Sequence, residues 1–144
     1  MHELTLIEKA FFLKKTTLFS ELELDLVLAI ANKAEIRIQT NDELIFSVNQ
    51  DAHCLYVIVS GSVMIENENE EEIERLTAPD YFGDEALFTR ESRSYSAKAI
   101  GDTTLMLISR SHLTEIILEC PQVALSLLRG FAASCTYRKR KEEE

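Results

Sequence analysis

Within residues 82–99, FGDEALFTRESRSYSAKA, an acid and a base stand about ten positions apart: Asp84 follows Gly83, and Arg93 precedes Ser94. A carboxylate can accept a hydrogen bond from a hydroxyl, and a guanidinium can pair with phosphate oxygens through charge-assisted bonds. If the residues after Asp84 open a short helix, its first amides lack partners and can serve the remaining oxygens. Gly83, having no Cβ, lets a backbone and a ligand approach closely. These residue types together suit a ligand carrying both hydroxyls and a phosphate. Each also has a plainer use. Arg93 could pair with Glu91 or Asp84 at the surface, Asp84 could be a helix N-cap, and Tyr95 a half-buried strand residue.

The elements that must hold this segment are read from periodicity. Residues 5–15, TLIEKAFFLKK, place Leu6, Ile7, Ala10, Phe11 and Leu13 at helical spacing. A second helix carries Leu22, Leu26 and Ile30 every four residues, with Val27 and Ala31 beside them. Ser20-x-x-Glu23 matches a capping box, which sets the start there or one turn later. From residue 34 the period becomes two. Ala34, Ile36 and Ile38 alternate with Glu35, Arg37 and Gln39, which predicts a half-buried strand. ELIF is a second strand, and LYVIVS at 55–60 is apolar on both faces, as a central strand must be. Gly61 is expected to turn the chain into another strand, SVMIE, and IERL resumes after it. SYSAKAI and TTLMLIS follow as two strands joined around Gly101 and Asp102. The first part of the acidic run at 66–74 predicts a solvated hairpin tip, because so many carboxylates there cannot be buried. HLTEIILEC and PQVALSLLRGFAASC are helical, with Pro121 suited to a first turn. Helices, about eight short strands and helices again fit a sandwich, a barrel or a jelly roll.

Composition narrows the function. The chain has 144 residues, 46% hydrophobic and 28% charged, with a formal net charge of −10. That charge repels nucleic acid unless a basic face is segregated, and the basic cluster at 138–141 is followed directly by three glutamates. No apolar run approaches the roughly 20 residues of a membrane helix, and the N-terminus does not resemble a signal peptide. Cys54, Cys120 and Cys135 are odd in number and far apart, which fits a reducing cytoplasm better than a disulfide framework. His2, His53 and His112 have no metal-ligand spacing, and no activated serine or cysteine nucleophile is apparent. No catalytic or metal site is therefore expected.

The pattern LYVIVSG at 55–61 and the stretch YFGDEALFTRESRSYSAKA at 81–99 resemble the central strand and the phosphate-binding cassette of the cyclic nucleotide-binding domain family. The flanking helical segments fit as well, so the resemblance spans about residues 5–137. It implies a mainly β fold with flanking helices, a double-stranded β-helix (jelly roll) of about eight strands. One domain over 1–144 is expected, with helices at 5–33, the jelly roll at 34–109, C-terminal lid helices at 110–137 and a charged tail at 138–144. The implied ligand is cAMP or cGMP. Gly83 and Asp84 would contact the ribose, Glu85 and Ala86 would offer amides near the phosphate, and Arg93 would bind it with Ser94 beside. Phe82 and Tyr95 border the implied site. Several positions depart from the family pattern. Asp84 stands for a glutamate one methylene longer, Ser92 for a proline, Tyr95 for a small residue and Pro79 for a glycine. Asn49 and Ala52 stand for two glycines, and of these only asparagine tolerates positive φ.

The resemblance implies a regulatory module that binds a cyclic nucleotide and passes its state to another protein. A fold that keeps the architecture as an interaction module without ligand is the alternative. The tail after 137 is too short for a helix-turn-helix, so no nucleic-acid contact is expected. The helix at 121–137 is apolar over an arc too wide for one contact surface, which suggests a homodimer through that helix.

Overall fold

A computed structural model describes residues 4–84, 89 and 91–143, with side chains of the final helix described through residue 133. The chain divides into two compact units, one formed by residues 1–33 and 112–144, the other by 34–111.

The first unit is helical. Helix α1 (Leu6–Lys14) opens on a capping box at Thr5 and Glu8, where Thr5 Oγ1 accepts the Glu8 amide at 3.2 Å and Glu8 Oε1 accepts the Thr5 amide at 3.1 Å. Helix α2 (Leu24–Lys33) begins a turn after the box expected at Ser20. The amides of Leu26 and Val27 donate to the Glu23 carbonyl, while Ser20 Oγ donates to the carbonyl of Thr17. Helix α3 (Arg110–Glu119) and helix α4 (Gln122–Glu143) follow, with Pro121 just before the start of α4. Val123 and Leu127 of α4 are buried, while Leu125 and Leu128 are exposed.

The second unit holds one sheet of six strands: β1 (Glu35–Gln39), β2 (Leu44–Phe46), β3 (Cys54–Glu66), β4 (Glu72–Thr77), β5 (Tyr81–Phe82) and β6 (Ser96–Ser109). Two long strands, β3 and β6, lie antiparallel and form its spine. The other edge of β6 takes β1 and β2, and the other edge of β3 takes β4 and β5. Among the described residues the order β1-β6-β3-β4 leaves β1 and β4 as unjoined ends, so the sheet is open. This corrects the expectation of a mainly β double-stranded β-helix, or jelly roll, of about eight strands: the fold is mixed α/β with an open six-stranded sheet and flanking helices.

The physical reason lies at two glycines. LYVIVS and SVMIE are one strand through Gly61, and SYSAKAI and TTLMLIS are one strand through Gly101. Gly61 takes φ 90° and Gly101 φ 69°, and the β3–β6 register shifts between Ile58 and Ser62. Such left-handed insertions bend a strand without ending it. A Cβ at Gly61 would fall 2.6 Å from the Asp102 carbonyl oxygen, so the ladder closes there only around a glycine.

Other patterns held or inverted for local reasons. Leu55, Tyr56, Val57 and Ile58 are all buried, as a central strand requires. In β1 the alternation fails: Ile38 is 44% exposed and Gln39 only 8%. The acidic hairpin between β3 and β4 is held by Asn67, whose Oδ1 accepts the amides of Asn69 and Glu71. Its first carboxylate is an exception to the solvated tip, since Glu66 is 6% exposed and lies 3.4 Å from Lys98 Nζ. The core of this unit gathers Phe46, Tyr56, Ile58, Val63, Phe82 and Leu105, each burial contributing about 1.5–3 kcal/mol.

Candidate functional site

The segment around Gly83 begins where β5 ends. Phe82 is buried and stacks on Tyr56 of β3, ring centroids 5.0 Å apart and planes within 6°. Phe46 of β2 packs against both rings, at 5.9 Å from Phe82 and 5.7 Å from Tyr56. This aromatic cluster is the floor on which the chain turns at Gly83, which takes φ 79°. A Cβ on Gly83 would lie 2.8 Å from Arg93 Nη1, so the absent side chain is what lets the guanidinium come this close.

Arg93 is 3% exposed. Its Nη1 donates to the Gly83 carbonyl and its Nη2 to the Cys54 carbonyl, both at 2.8 Å. The guanidinium carbon sits 4.1 Å from the Phe46 ring centroid and 5.8 Å from that of Tyr56, a cation over aromatic faces. Its Nε is buried and has no hydrogen-bond partner among the described residues. The backbone of Arg93 is fastened as well. Its amide donates to the Gln50 carbonyl and its carbonyl accepts the Asn49 amide, each at 2.8 Å. Asn49 takes φ 72°, the conformation its side chain tolerates at a position where the family pattern has glycine.

Tyr95 lies half-buried just before β6, its ring centroid 5.4 Å from that of Phe46. Its hydroxyl oxygen accepts the Gly83 amide at 2.8 Å. Both polar groups of the Gly83 residue are thus held by the later half of the same segment. Asp84 is buried at 7% exposure, and Ser94 is exposed. Glu85 and Ala86 lie outside the described residues. Of the expected site residues, the structure brings Phe82, Gly83, Arg93 and Tyr95 into mutual or shared contact.

Periodicity did not single out Phe46, Tyr56 or the Cys54 carbonyl, yet these complete the surroundings of Arg93. Backbone carbonyls leave no signature in a sequence. Phe46 ends a three-residue strand too short to show alternation. Tyr56 carries a titration signature: burial foremost, then the neighbouring Cys54 thiol, pushes its phenol up to about 12, with Arg93 pulling the other way.

Chemically, a guanidinium has five N–H donors. Two go to neutral carbonyls, which leaves N–H groups for a further acceptor. A buried cation served by neutral acceptors gains most from an anion, because desolvation is already incurred and the Coulomb attraction is weakly screened. Among the described residues no group of three or more His, Cys, Asp or Glu is placed to hold a metal. No helix is long and apolar enough to cross a membrane among the residues described.

Comparison with known proteins bears on the family and the fold. A family profile described as "Cyclic nucleotide-binding domain" matches residues 37–120. The sensor domain of the transcriptional regulator DNR from Pseudomonas aeruginosa superposes with a TM-score of 0.74 at 19% identity, covering 87% of this chain and 91% of that one. The N-terminal domain of a transcriptional regulator from Streptomyces coelicolor A3(2) gives 0.76 at 19% identity, covering 88% and 94%. PfPKA-R, solved with cAMP bound, gives 0.71 at 16% identity, covering 78% of this chain and 41% of that one. At these identities the likeness is one of fold.

Proposed function

We propose, from the premise that this chain belongs to the cyclic nucleotide-binding domain family, that it is a sensor module which binds cAMP or cGMP at residues 82–95. Domains of this family are regulatory and not catalytic. The observation that carries the reading is the Arg93 guanidinium: 3% exposed, hydrogen-bonded to two carbonyls and, among the described residues, without a partner at Nε. A cyclic phosphate would offer this guanidinium an acceptor of opposite charge. Asp84 beside Gly83 is the residue assigned to the ribose hydroxyl. One fold relative, PfPKA-R, was solved with cAMP bound, which agrees with the ligand class proposed. Ligand occupancy passes to a protein partner or to a second copy of the chain by favouring the conformation that the nucleotide contacts better.

A second reading, an interaction module without ligand, is favoured by one observation. The Gly83 amide and carbonyl are both occupied internally, by Tyr95 and Arg93. Calorimetric titration with cAMP and with cGMP separates the two. The sensor reading predicts heat of binding and a ligand-dependent rise in the unfolding temperature. Absence of both at millimolar nucleotide refutes it and leaves the interaction module standing.

A further inference from the structure

The Tyr95 hydroxyl accepts the amide of Gly83, a residue that the proposed site offers to the ligand. The Gly83 amide is a donor at a buried position, and such a donor must have an acceptor. Position 95 is a tyrosine, long enough to reach this amide. Here the Tyr95 oxygen does so at 2.8 Å, across twelve residues of chain. The ring that carries it is held independently, by packing on Phe46 at 5.4 Å. Hydroxyl and ring therefore do separate things: the ring fills space in the aromatic cluster, and the oxygen satisfies one amide.

We infer that the Tyr95 hydroxyl is a built-in competitor for the nucleotide, a deepening that rests on the sensor reading above. In the free protein it saturates the Gly83 amide. In the liganded protein a ribose or phosphate oxygen takes the same N–H, and the hydroxyl must leave. Gly83 suits such an exchange, since the left-handed region at φ 79° is one of several open to glycine. The Gly83 carbonyl is tied to Arg93 Nη1, so release of the amide also loosens the contact that holds the guanidinium toward the carbonyls. Tyr95 thereby sets a threshold: the ligand binds only by replacing a hydrogen bond already made.

The test is Tyr95→Phe, which keeps the ring and removes the oxygen. Calorimetry with cAMP and cGMP on the parent chain and the variant is expected to show tighter binding by Tyr95→Phe, by about 2- to 10-fold. Binding by the variant alone is the same result in stronger form. Equal affinities, with the parent binding, overturn the competition and leave the sensor reading intact. Binding by neither protein removes the sensor reading and the competition with it. A second measurement uses the parent chain only. In a nucleotide titration followed by NMR, the Gly83 amide and the Tyr95 ring resonances should shift together with one midpoint. A Gly83 amide that moves while the Tyr95 ring stays fixed also overturns the inference.

Discussion

Arg93→Lys isolates geometry from charge at the centre of the site. Both side chains bring a buried cation, so the desolvation penalty, several kcal/mol per ion, largely cancels between them. What differs is the fork. Arginine reaches the Gly83 and Cys54 carbonyls at once, and these belong to segments 10 and 39 residues away in the chain. A lysine ammonium is a point charge on a flexible stem and can reach one of them. One charge-assisted bond to a buried acceptor is worth about 1.5–3 kcal/mol. The flat contact with Phe46 at 4.1 Å adds up to about 2 kcal/mol, part of which an ammonium keeps. The expected loss is roughly 2–4 kcal/mol, a fall in Tm of about 4–16 °C for a chain of this size. Urea unfolding should show a lower midpoint at unchanged m. A midpoint within about 0.5 kcal/mol of the parent would mean that the two carbonyl bonds do not tie the segment, and the reasoning fails. Arg93→Met then adds the charge. If removing the cation leaves the protein as stable as the parent, burial of the guanidinium offsets its bonds, and the charge is kept for a ligand.

Three further outcomes follow from the geometry. Gly61→Ala places a Cβ 2.6 Å from the Asp102 carbonyl oxygen and 2.8 Å from the Thr103 Cα at φ 90°, so a loss of about 2–5 kcal/mol is expected in denaturant unfolding. Gly130→Ala sets two effects against each other. Helix propensity favours alanine by about 1 kcal/mol, but its Cβ would meet the Leu18 Cα at 2.8 Å and the Thr17 carbonyl at 3.0 Å. Sterics should win by about 1–3 kcal/mol, and a rise in Tm would refute the close approach. Tyr56, raised from 10.0 to about 12, should ionise late in an alkaline absorbance titration, and Tyr56→Phe should delete that step. Its folded pKa lies above the unfolded one, so the protein holds this proton more tightly when folded. The associated stability is present below pH 10 and is lost as pH rises toward about 12.

The residues brought together around Gly83 come largely from one stretch of sequence. Gly83, Arg93 and the buried run at 55–58 have side-chain types and spacings that carry their own physics. A glycine before an acid permits close approach, and a guanidinium among apolar strands needs a partner. The ends of the strands were less legible. A glycine between two alternating runs reads equally as a turn and as a bend, because either uses a positive φ. Local pattern also misled at Ile38 and Gln39, where position in the sheet decided which side chain was covered, and at Glu66, where Lys98 of the neighbouring strand made burial tolerable.

The sequence by itself marked the helical and strand-forming segments, the residue types gathered at 82–95, and the departures at Asp84, Asn49 and Tyr95. These follow from side-chain chemistry and short-range period, both written in the order of residues. Only the tertiary structure decided that Gly61 and Gly101 extend two strands into the spine of an open sheet, that Arg93 turns inward onto the Gly83 and Cys54 carbonyls, and that the Tyr95 oxygen takes the Gly83 amide. Each of these is a pairing with a backbone group or a neighbouring strand. Every non-proline residue offers the same N–H and C=O, so the choice among them is made by packing in three dimensions.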